Sequence, residues 1–206
     1  MHRKDPHYRQ AKQHGYRARS AYKLLEIQKR FNIFKRAFYI LDLGSAPGSW
    51  LQVAKKYAEE NVEKYRDQYY HRDHFKIMGV DIKKISQIEE VKLLRMNITS
   101  AEIFSEIKRY FQDKLDLILS DVSINKTGNS FTDQLRQIKL CYKILEIVRE
   151  NLKFKGSLVI KVFQGADFNK FIRDMKNEFF FVKAYKPKAS KKQSNEIYLI
   201  ASKKKG

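Results

Sequence analysis

The sequence contains almost no cysteine and lacks long apolar runs. Its single cysteine, Cys141, excludes an internal disulfide and a cysteine-rich zinc site, and we predict no metal site. Cys141 lies in an apolar stretch with helical spacing, which favours a buried thiol over a nucleophile. No apolar run approaches the roughly 20 residues of a membrane span, and no hydrophobic N-terminal segment is present, so we expect no membrane contact. The compartment stays open between an organelle such as the mitochondrion, if a presequence has been removed, and the cytoplasm or nucleus.

Acidic residues are scarce relative to basic ones. The chain has 43 Lys and Arg against 23 Asp and Glu, a formal net charge of +20. Such an excess favours a polyanionic partner, either nucleic acid or an anionic membrane surface, over a merely solvated basic face. Tyrosines interleave with the basic residues before position 37 and could stack on unpaired bases, so RNA is the predicted partner. The basic residues are Arg3, Lys4, Arg9, Lys12, Arg17, Arg19, Lys23, Lys29, Arg30, Lys35 and Arg36, followed later by Lys183, Lys186, Lys188, Lys191 and Lys192.

The chain length of 206 residues suits a single domain, and we find neither an internal repeat nor a linker. Residues 1–17 are polar and basic, which predicts an arm that orders on RNA. Short apolar runs then alternate with amphipathic stretches and end in a pair of strands. This order predicts an α/β, Rossmann-like fold with a mostly parallel seven-stranded sheet and helices on both faces. The predicted strands lie at 38–43, 76–81, 91–94, 115–119, 157–163, 179–185 and 195–202, and residues 59–74 are predicted to be a helix extension and surface loop.

The stretch AFYILDLGSAPGSW, residues 37–50, carries the clearest functional pattern. An apolar strand runs into a turn containing Gly44 and Gly48, and a helix follows. This is a common nucleotide-binding arrangement, because glycine lets a ligand approach the backbone and a helix start offers unpaired N–H groups. The glycine spacing differs from the G-x-G-x-x-G pattern of dinucleotide-binding proteins. A second strand ends at Asp81, whose carboxylate could accept both ribose hydroxyls. The pattern therefore favours S-adenosylmethionine over a nicotinamide cofactor.

A lysine interrupts the apolar strand at 157–163. Such a lysine ordinarily extends its amine to solvent. Here, however, Asp121 follows the neighbouring strand at the same level, so Lys161 and Asp121 are predicted to form a buried or half-buried ion pair. Ligands of parallel sheets bind at the carboxyl ends of the strands, where Gly44, Asp81, Asp121 and Lys161 all fall. Charged groups beside a predicted cofactor turn are candidates for function.

These segments together resemble the FtsJ/RrmJ family of ribose 2′-O-methyltransferases over nearly the full chain. A single LDLG would be a weak signal, whereas the whole series in this order is highly specific. The matching segments are YRARSAYKL (16–24), LDLGSAPGSW (41–50), GVD (79–81), LSD (119–121), GSLVIKVFQG (156–165) and KPKASKKQSNEIYLIA (186–201).

The resemblance implies a Rossmann-like methyltransferase fold and a catalytic set of Lys23, Asp121, Lys161 and Glu196. It implies in-line transfer of a methyl group from the sulfonium of S-adenosylmethionine to a ribose 2′-hydroxyl. Lys161 would take or guide the hydroxyl proton, Asp121 and Glu196 would hold Lys161, and Lys23 would position the ribose and its phosphate.

The resemblance also implies which residues bind the cofactor, and this chain departs from the family in two places. Asn97 stands where the family often has an aspartate near the adenine, and its amide oxygen can still accept from the exocyclic amine. After Asp121, the familiar Met-Ala-Pro-Asn is replaced by the residues at 122–125, VSIN, so a more mobile loop is expected. The implied cofactor residues are Gly44, Ser45, Pro47, Gly48, Trp50, Asp81, Asn97 and Asp121.

The predicted substrate is a uridine in the peptidyl-transferase region of large-subunit rRNA, methylated within a ribosomal particle by a monomeric enzyme. The segments DPHYRQAK and KPKASKKQSNEIY resemble bacterial and mitochondrial rRNA enzymes most closely. Two alternatives stay open: methylation of the tRNA anticodon loop, and a non-catalytic RNA-binding protein with the same fold. A dinucleotide oxidoreductase is disfavoured by the glycine spacing and the basic charge.

Overall fold

The computed structural model describes residues 6–65, 73–125, 127–190 and 193–206. Its helices and strands alternate through most of the chain, as the sequence predicts. The elements are α1 (Pro6–Gln13), α2 (Ala21–Phe31), β1 (Tyr39–Leu43), α3 (Ser49–Lys64), β2 (Lys76–Asp81), β3 (Val91–Arg95), α4 (Ile103–Phe111), β4 (Leu115–Ser120), α5 (Ser130–Asn151), β5 (Leu152–Phe163), α6 (Phe168–Glu178), β6 (Phe179–Tyr185) and β7 (Glu196–Lys204).

The strands form one seven-stranded sheet in the order β3-β2-β1-β4-β5-β7-β6. The pairs among β1 to β5 are parallel, and β7 lies antiparallel between β5 and β6. One core packs α2 and α3 against the first face of the sheet, and a second packs α4, α5 and α6 against the other. The predicted fold class is therefore confirmed. Of the helices in the described ranges, none is long and apolar enough to cross a membrane.

Helix α2 is tied at its start to the beginning of α3. Leu24 and Ile27 face the core because they follow helical spacing. Trp50 Nε1 donates a hydrogen bond to the main-chain oxygen of Ser20 at 2.9 Å, and Ser20 Oγ lies 2.8 Å from Ser49 Oγ. Ser20 occupies the helix N-cap position that the sequence predicts, but its hydroxyl contacts α3. These contacts fix α2, and with it Lys23, above the glycine turn.

The N-terminal segment differs from the predicted arm, because residues 6–13 form helix α1. Ala11 is only 1% exposed, and its main-chain oxygen accepts from Tyr16 N at 2.9 Å. The sequence shows no apolar period here, because the buried residue of this short helix is an alanine and not a large apolar residue. Residues 1–5 lie outside the described ranges, as do residues 66–72 of the predicted surface loop; the predicted helix extension is present as far as Lys64.

Strand β5 begins earlier than the sequence predicts. It starts at Leu152, so Gly156 lies inside the strand instead of before it. A register shift between Leu115 and Leu117 marks an irregularity in the pairing of β4 with β5. A Cβ on Gly156 would come within 2.7 Å of Leu152 Cγ, so glycine allows Leu152 to pack there. The charged and glycine residues of this segment break the apolar pattern from which strands are predicted.

Candidate active site

Lys161 and Asp121 form the ion pair that the sequence predicts. Lys161 lies on β5, is 5% exposed, and is paired in register with Tyr198 of β7. Its Nζ is 3.0 Å from Asp121 Oδ1 and donates to the main-chain oxygen of Asp121 at 2.6 Å. A buried ammonium group needs such partners, because leaving water is otherwise costly. Two acceptors on one residue therefore fix the amine at the carboxyl ends of β4 and β5.

Tyr198 belongs to the same cluster and was not among the predicted site residues. Its hydroxyl donates to Asp121 Oδ1 at 2.6 Å and accepts from Lys23 Nζ at 3.2 Å. Burial, and then the neighbouring Asp121 carboxylate, raise the pKa of Tyr198 well above its usual value, so the hydroxyl keeps its proton. The signal was present in the alternation of β7, which places Glu196 and Tyr198 on one face.

The structure brings all the predicted catalytic residues into one chain of contacts. Lys161 contacts Asp121, Asp121 contacts Tyr198, and Tyr198 contacts Lys23, whose Nζ lies 3.9 Å from Glu196 Oε2. One predicted contact is different. Glu196 pairs with Lys23, and the ion pairs of the described ranges do not join it to Lys161. Glu196 lies two residues before Tyr198 on β7, and from this position its carboxylate reaches Lys23 of α2.

A cavity of about 320 Å³ opens beside this cluster at the carboxyl ends of β1, β2 and β4. This volume falls within the range of roughly 300–1,000 Å³ for small-molecule sites. Gly44, Asp81, Asn97 and Asp121 line it, as the sequence predicts for cofactor residues. Its apolar wall was not predicted, although all of it except the residue from α5 lies within five residues after a predicted strand. That wall consists of Ile82, Met96, Ile98, Val122, Ile124 and Leu140.

Two polar side chains at the cavity are already oriented by the backbone. Asp81 Oδ2 accepts from Ala46 N at 2.9 Å, and Asp81 Oδ1 accepts from Lys83 N at 2.8 Å. Asn97 Oδ1 accepts from both N and Oγ1 of Thr99, at 3.0 and 2.9 Å. The amide oxygen expected to meet an adenine amine is thus used by Thr99. The NH₂ group of Asn97, a donor, is the part left for a ligand.

The other predicted turn residues shape the site without lining the cavity. Pro47 follows a cis peptide bond, and its main-chain oxygen accepts from Arg17 Nη1 at 3.2 Å. Gly48 has φ +105°, and a Cβ there would come within 2.8 Å of the same Arg17 nitrogen. Trp50 is 2% exposed, and its ring centroid lies 5.8 Å from that of Tyr198. Ser45 is buried at the same turn. These residues follow Gly44 in the turn and at the start of α3, and of the turn residues Gly44 and Ala46 line the cavity.

A third carboxyl group, Asp42, is buried at this edge of the sheet. It is completely inaccessible to solvent, and neither of its oxygens has a hydrogen-bond partner among the described residues. Burial, and then the negative charges of Asp121 and Asp81, raise its pKa well above the usual value. The negative charges that act on Asp42 are those of Asp121 and Asp81, and these two carboxylates make the site suited to a positively charged ligand, such as one with a sulfonium or ammonium group.

Apart from Lys23, which belongs to the cluster above, and Arg36, whose guanidinium lies 5.1 Å from the ring centroid of Tyr65, the basic residues predicted to bind RNA divide into two groups. Arg17 donates to the main-chain oxygens of Ser86 and Gln87 at 2.7 and 2.8 Å, and Arg19 donates to that of Ala189 at 3.1 Å, so both hold the fold together. The exposed group comprises Arg9, Lys12, Lys29, Arg30, Lys35, Lys183, Lys186 and Lys188. Arg3, Lys4, Lys191 and Lys192 lie outside the described ranges. Of the predicted stacking tyrosines, Tyr16 and Tyr22 pack against each other with centroids 6.0 Å apart.

Comparison with known proteins identifies the family of this chain. The sequence model of the FtsJ-like methyltransferase family matches residues 16–204. A relative from Methanosarcina mazei, ribosomal RNA large subunit methyltransferase E, is 39% identical over 202 residues, which cover 98% of this chain and 70% of the relative.

Solved structures point the same way. A ribosomal RNA methyltransferase from Plasmodium falciparum superposes with a TM-score of 0.76 at 28% identity, covering 93% of this chain and 100% of the other. A methyltransferase from Streptococcus mutans, solved in complex with SAH, shares the fold with a TM-score of 0.51 at 14% identity, covering 89% and 94%. The family resemblance that the sequence predicts is therefore confirmed, and the chain belongs to the FtsJ-like methyltransferase family.

Proposed function

We propose that this protein transfers the methyl group of S-adenosylmethionine to the 2′-hydroxyl of a ribose in large-subunit rRNA, with a uridine as the target. The observation that carries the proposal is the position of Asp121. Its side chain lines the cavity and also contacts Lys161 Nζ at 3.0 Å, so a cofactor site and a buried amine share one residue. Relatives named for large-subunit rRNA methylation support the choice of RNA.

The cavity fits S-adenosylmethionine in size and charge. Asp81, oriented by Ala46 N and Lys83 N, retains lone pairs for ribose hydroxyls, and the amide nitrogen of Asn97 can donate to a ring nitrogen of adenine. Apolar residues such as Met96 and Leu140 would contact the base. Asp121 would face the positively charged methionine end. When bound, S-adenosylmethionine supplies an electrophilic methyl group on a positively charged sulfur.

The residues of the cluster then act on the RNA. Lys161 Nζ would hold the 2′-hydroxyl, because Asp121 keeps the amine in one position through two acceptors. As the neutral amine it would take the hydroxyl proton, and as the ammonium it would guide the hydroxyl into line while that proton leaves to water. Tyr198 links this amine to Lys23, which would contact the ribose and its neighbouring phosphate. Glu196 would orient Lys23. Alignment of the reacting atoms contributes to the rate together with proton transfer.

The test is transfer of labelled methyl from S-adenosylmethionine to three substrates: ribosomal particles or large-subunit rRNA, tRNA, and capped mRNA. We expect label on a 2′-oxygen in the large-subunit RNA, mapped to one uridine. Label in the tRNA anticodon loop would select the tRNA alternative. Cofactor binding without label in any RNA would favour the non-catalytic RNA binder.

We also propose that the enzyme acts as a monomer on a ribosomal particle. Sedimentation of the enzyme with and without particles would check both points.

The exposed cations of α1 are expected to contribute to RNA affinity by neutralising phosphates. Replacing Arg9 and Lys12 by alanine should weaken RNA binding and make it less sensitive to salt. The plot of log association constant against log salt concentration should become less steep, by about 0.7–0.9 for each phosphate that is no longer neutralised. Binding titrations at several salt concentrations measure this slope. Lys170→Ala with Lys176→Ala removes the same charge from exposed positions of α6, on the other face of the sheet, and serves as the control. Equal slopes for the two double variants would contradict a role for α1.

A further inference from the structure

The loop after β4 forms part of the cofactor cavity and is held from behind by α5. Val122 and Ile124 of this loop line the cavity. Gln137 of α5 is completely buried but does not line it. Its Oε1 accepts from Ile124 N at 3.1 Å, and its Nε2 donates to the main-chain oxygen of Val122 at 3.2 Å. One side chain thus fixes the backbone on both sides of Ser123.

The hydrogen bond from Ile124 N depends on the departure of this chain from the family pattern. Proline, the familiar residue at that position, has no N–H to donate and restricts its own φ. With isoleucine there, the N–H exists and is paired with Gln137. The expectation of a loosely held loop is therefore opposed by a contact that only a non-proline residue can make.

A second side chain of α5 holds the same loop one helical turn earlier. Asp133 is 6% exposed, and its Oδ1 accepts from both N and Oγ1 of Thr127 at 2.8 Å. Asp133 and Gln137 are four residues apart and so lie on one side of the helix. The loop is consequently attached to α5 near both of its ends.

Gln137 also reaches the strand that carries the buried amine. Its Nε2 is 3.4 Å from the main-chain oxygen of Lys161, and Cys141 Sγ, one turn further along α5, is 3.5 Å from the same oxygen. Because the 3.4 Å contact is longer than the contacts to the loop, the loop is the principal partner of Gln137.

We propose that Gln137 is a positioning residue that holds the cofactor-facing loop in its binding shape, so that affinity for S-adenosylmethionine depends on a side chain outside the cavity. The inference rests on the proposed function, since it concerns the same cavity.

The first variant is Gln137→Met, which keeps the length of the side chain and removes its hydrogen bonds to Ile124 and Val122 of the loop. We expect the dissociation constants of S-adenosylmethionine and SAH to rise about tenfold, as the loss of two ordinary hydrogen bonds would give. The KM for the cofactor should rise by a similar factor, and kcat should change less. Calorimetry measures binding, and the melting temperature without ligand reports on the fold. Glu150→Met, an exposed position near the far end of the same helix, is the control.

The second variant removes the other partner of the hydrogen bond. Ile124→Pro deletes the N–H that Gln137 accepts and should weaken cofactor binding in the wild-type background. In the Gln137→Met background the same change should cause little further loss, because the bond is already absent. Amide exchange at Ile124 should be faster in Gln137→Met, while exchange in β4 and β5 stays unchanged.

The outcomes separate this inference from the proposed function. Failure of the wild-type protein to bind S-adenosylmethionine would contradict the proposed function itself. If the wild type binds and Gln137→Met binds equally well, the positioning role is overturned. It is also overturned if the losses from Gln137→Met and Ile124→Pro are simply additive, or if exchange rises throughout the chain in step with a lower melting temperature.

Discussion

Replacing Lys161 by alanine is expected to lower the rate of methyl transfer by a large factor while leaving cofactor binding nearly unchanged. The amine is held by Asp121, through the carboxylate at 3.0 Å and the main-chain oxygen at 2.6 Å, so its position is set by the protein before any substrate arrives. Positioned proton-transfer groups typically contribute roughly 100- to 10,000-fold in rate, and we expect a loss of this size in kcat. Asp121 retains its hydrogen bond from Tyr198, which supports the cavity wall in the variant.

Single-turnover transfer of labelled methyl to large-subunit RNA measures the rate, and calorimetry measures binding of S-adenosylmethionine. Lys155→Ala is the matched control, because Lys155 is an exposed lysine at the opposite end of the same strand. The assigned role would be refuted by a Lys161→Ala protein that loses cofactor affinity yet transfers methyl normally at saturating cofactor.

Among the substitutions proposed for the cofactor site, replacing Gly44 by alanine is expected to cause the largest loss of stability and a large loss of cofactor affinity. Gly44 has φ +77°, and a Cβ there would lie 2.6 Å from Val122 Cβ and 2.7 Å from Val122 Cα. The second contact is with main chain, so no side-chain rotation relieves it and the loop after β4 has to move. Backbone strain and overpacking together should lower the free energy of unfolding by about 2–5 kcal/mol. Affinity for S-adenosylmethionine should fall at least about tenfold, because Gly44 and Val122 both line the cavity.

Gly128→Ala separates these two causes. Gly128 also has a left-handed backbone, with φ +90°, but a Cβ there would have no neighbour among the described residues within 4 Å. It should therefore show only the strain, about 1–2 kcal/mol, with nearly unchanged cofactor affinity. Denaturant titration gives the stability of both variants and calorimetry gives their affinity. Equal losses in the two proteins would mean that conformational strain alone, and not the contact with Val122, makes glycine necessary at 44.

The parts of the site that the sequence predicts are those that depend on sheet geometry. Asp81, Asp121 and Lys161 each stand at the carboxyl end of an apolar run, and parallel strands bring these ends to one edge. Resemblance to a family added Lys23 and Glu196, which α2 and β7 bring to the same place. The pairing of Glu196 with Lys23, by contrast, depends on how far side chains reach after packing, which strand periodicity does not contain.

Three residues show why the remainder was missed. Tyr198 resembles any other aromatic of a buried strand, and only its partners reveal the hydroxyl as a link between Asp121 and Lys23. Arg17 resembles the other cations of a basic segment, because the sequence gives no sign that its guanidinium faces carbonyl oxygens far along the chain. Gln137 lies within a helix whose pattern does not distinguish a buried amide from a surface one.

The contacts of Arg17 have a consequence for dissecting the protein. Charge counting treats residues 1–17 as a detachable RNA-binding tail, whose removal would change affinity for RNA only. Arg17, however, joins the cofactor turn at Pro47 to the segment at 86–87, and Ala11 of α1 is buried in the fold. Removal of residues 1–17 is therefore expected to lower the affinity for the cofactor as well as the affinity for RNA. We expect the N-terminal segment to contribute to both, so swapping it between relatives should change each of the two affinities.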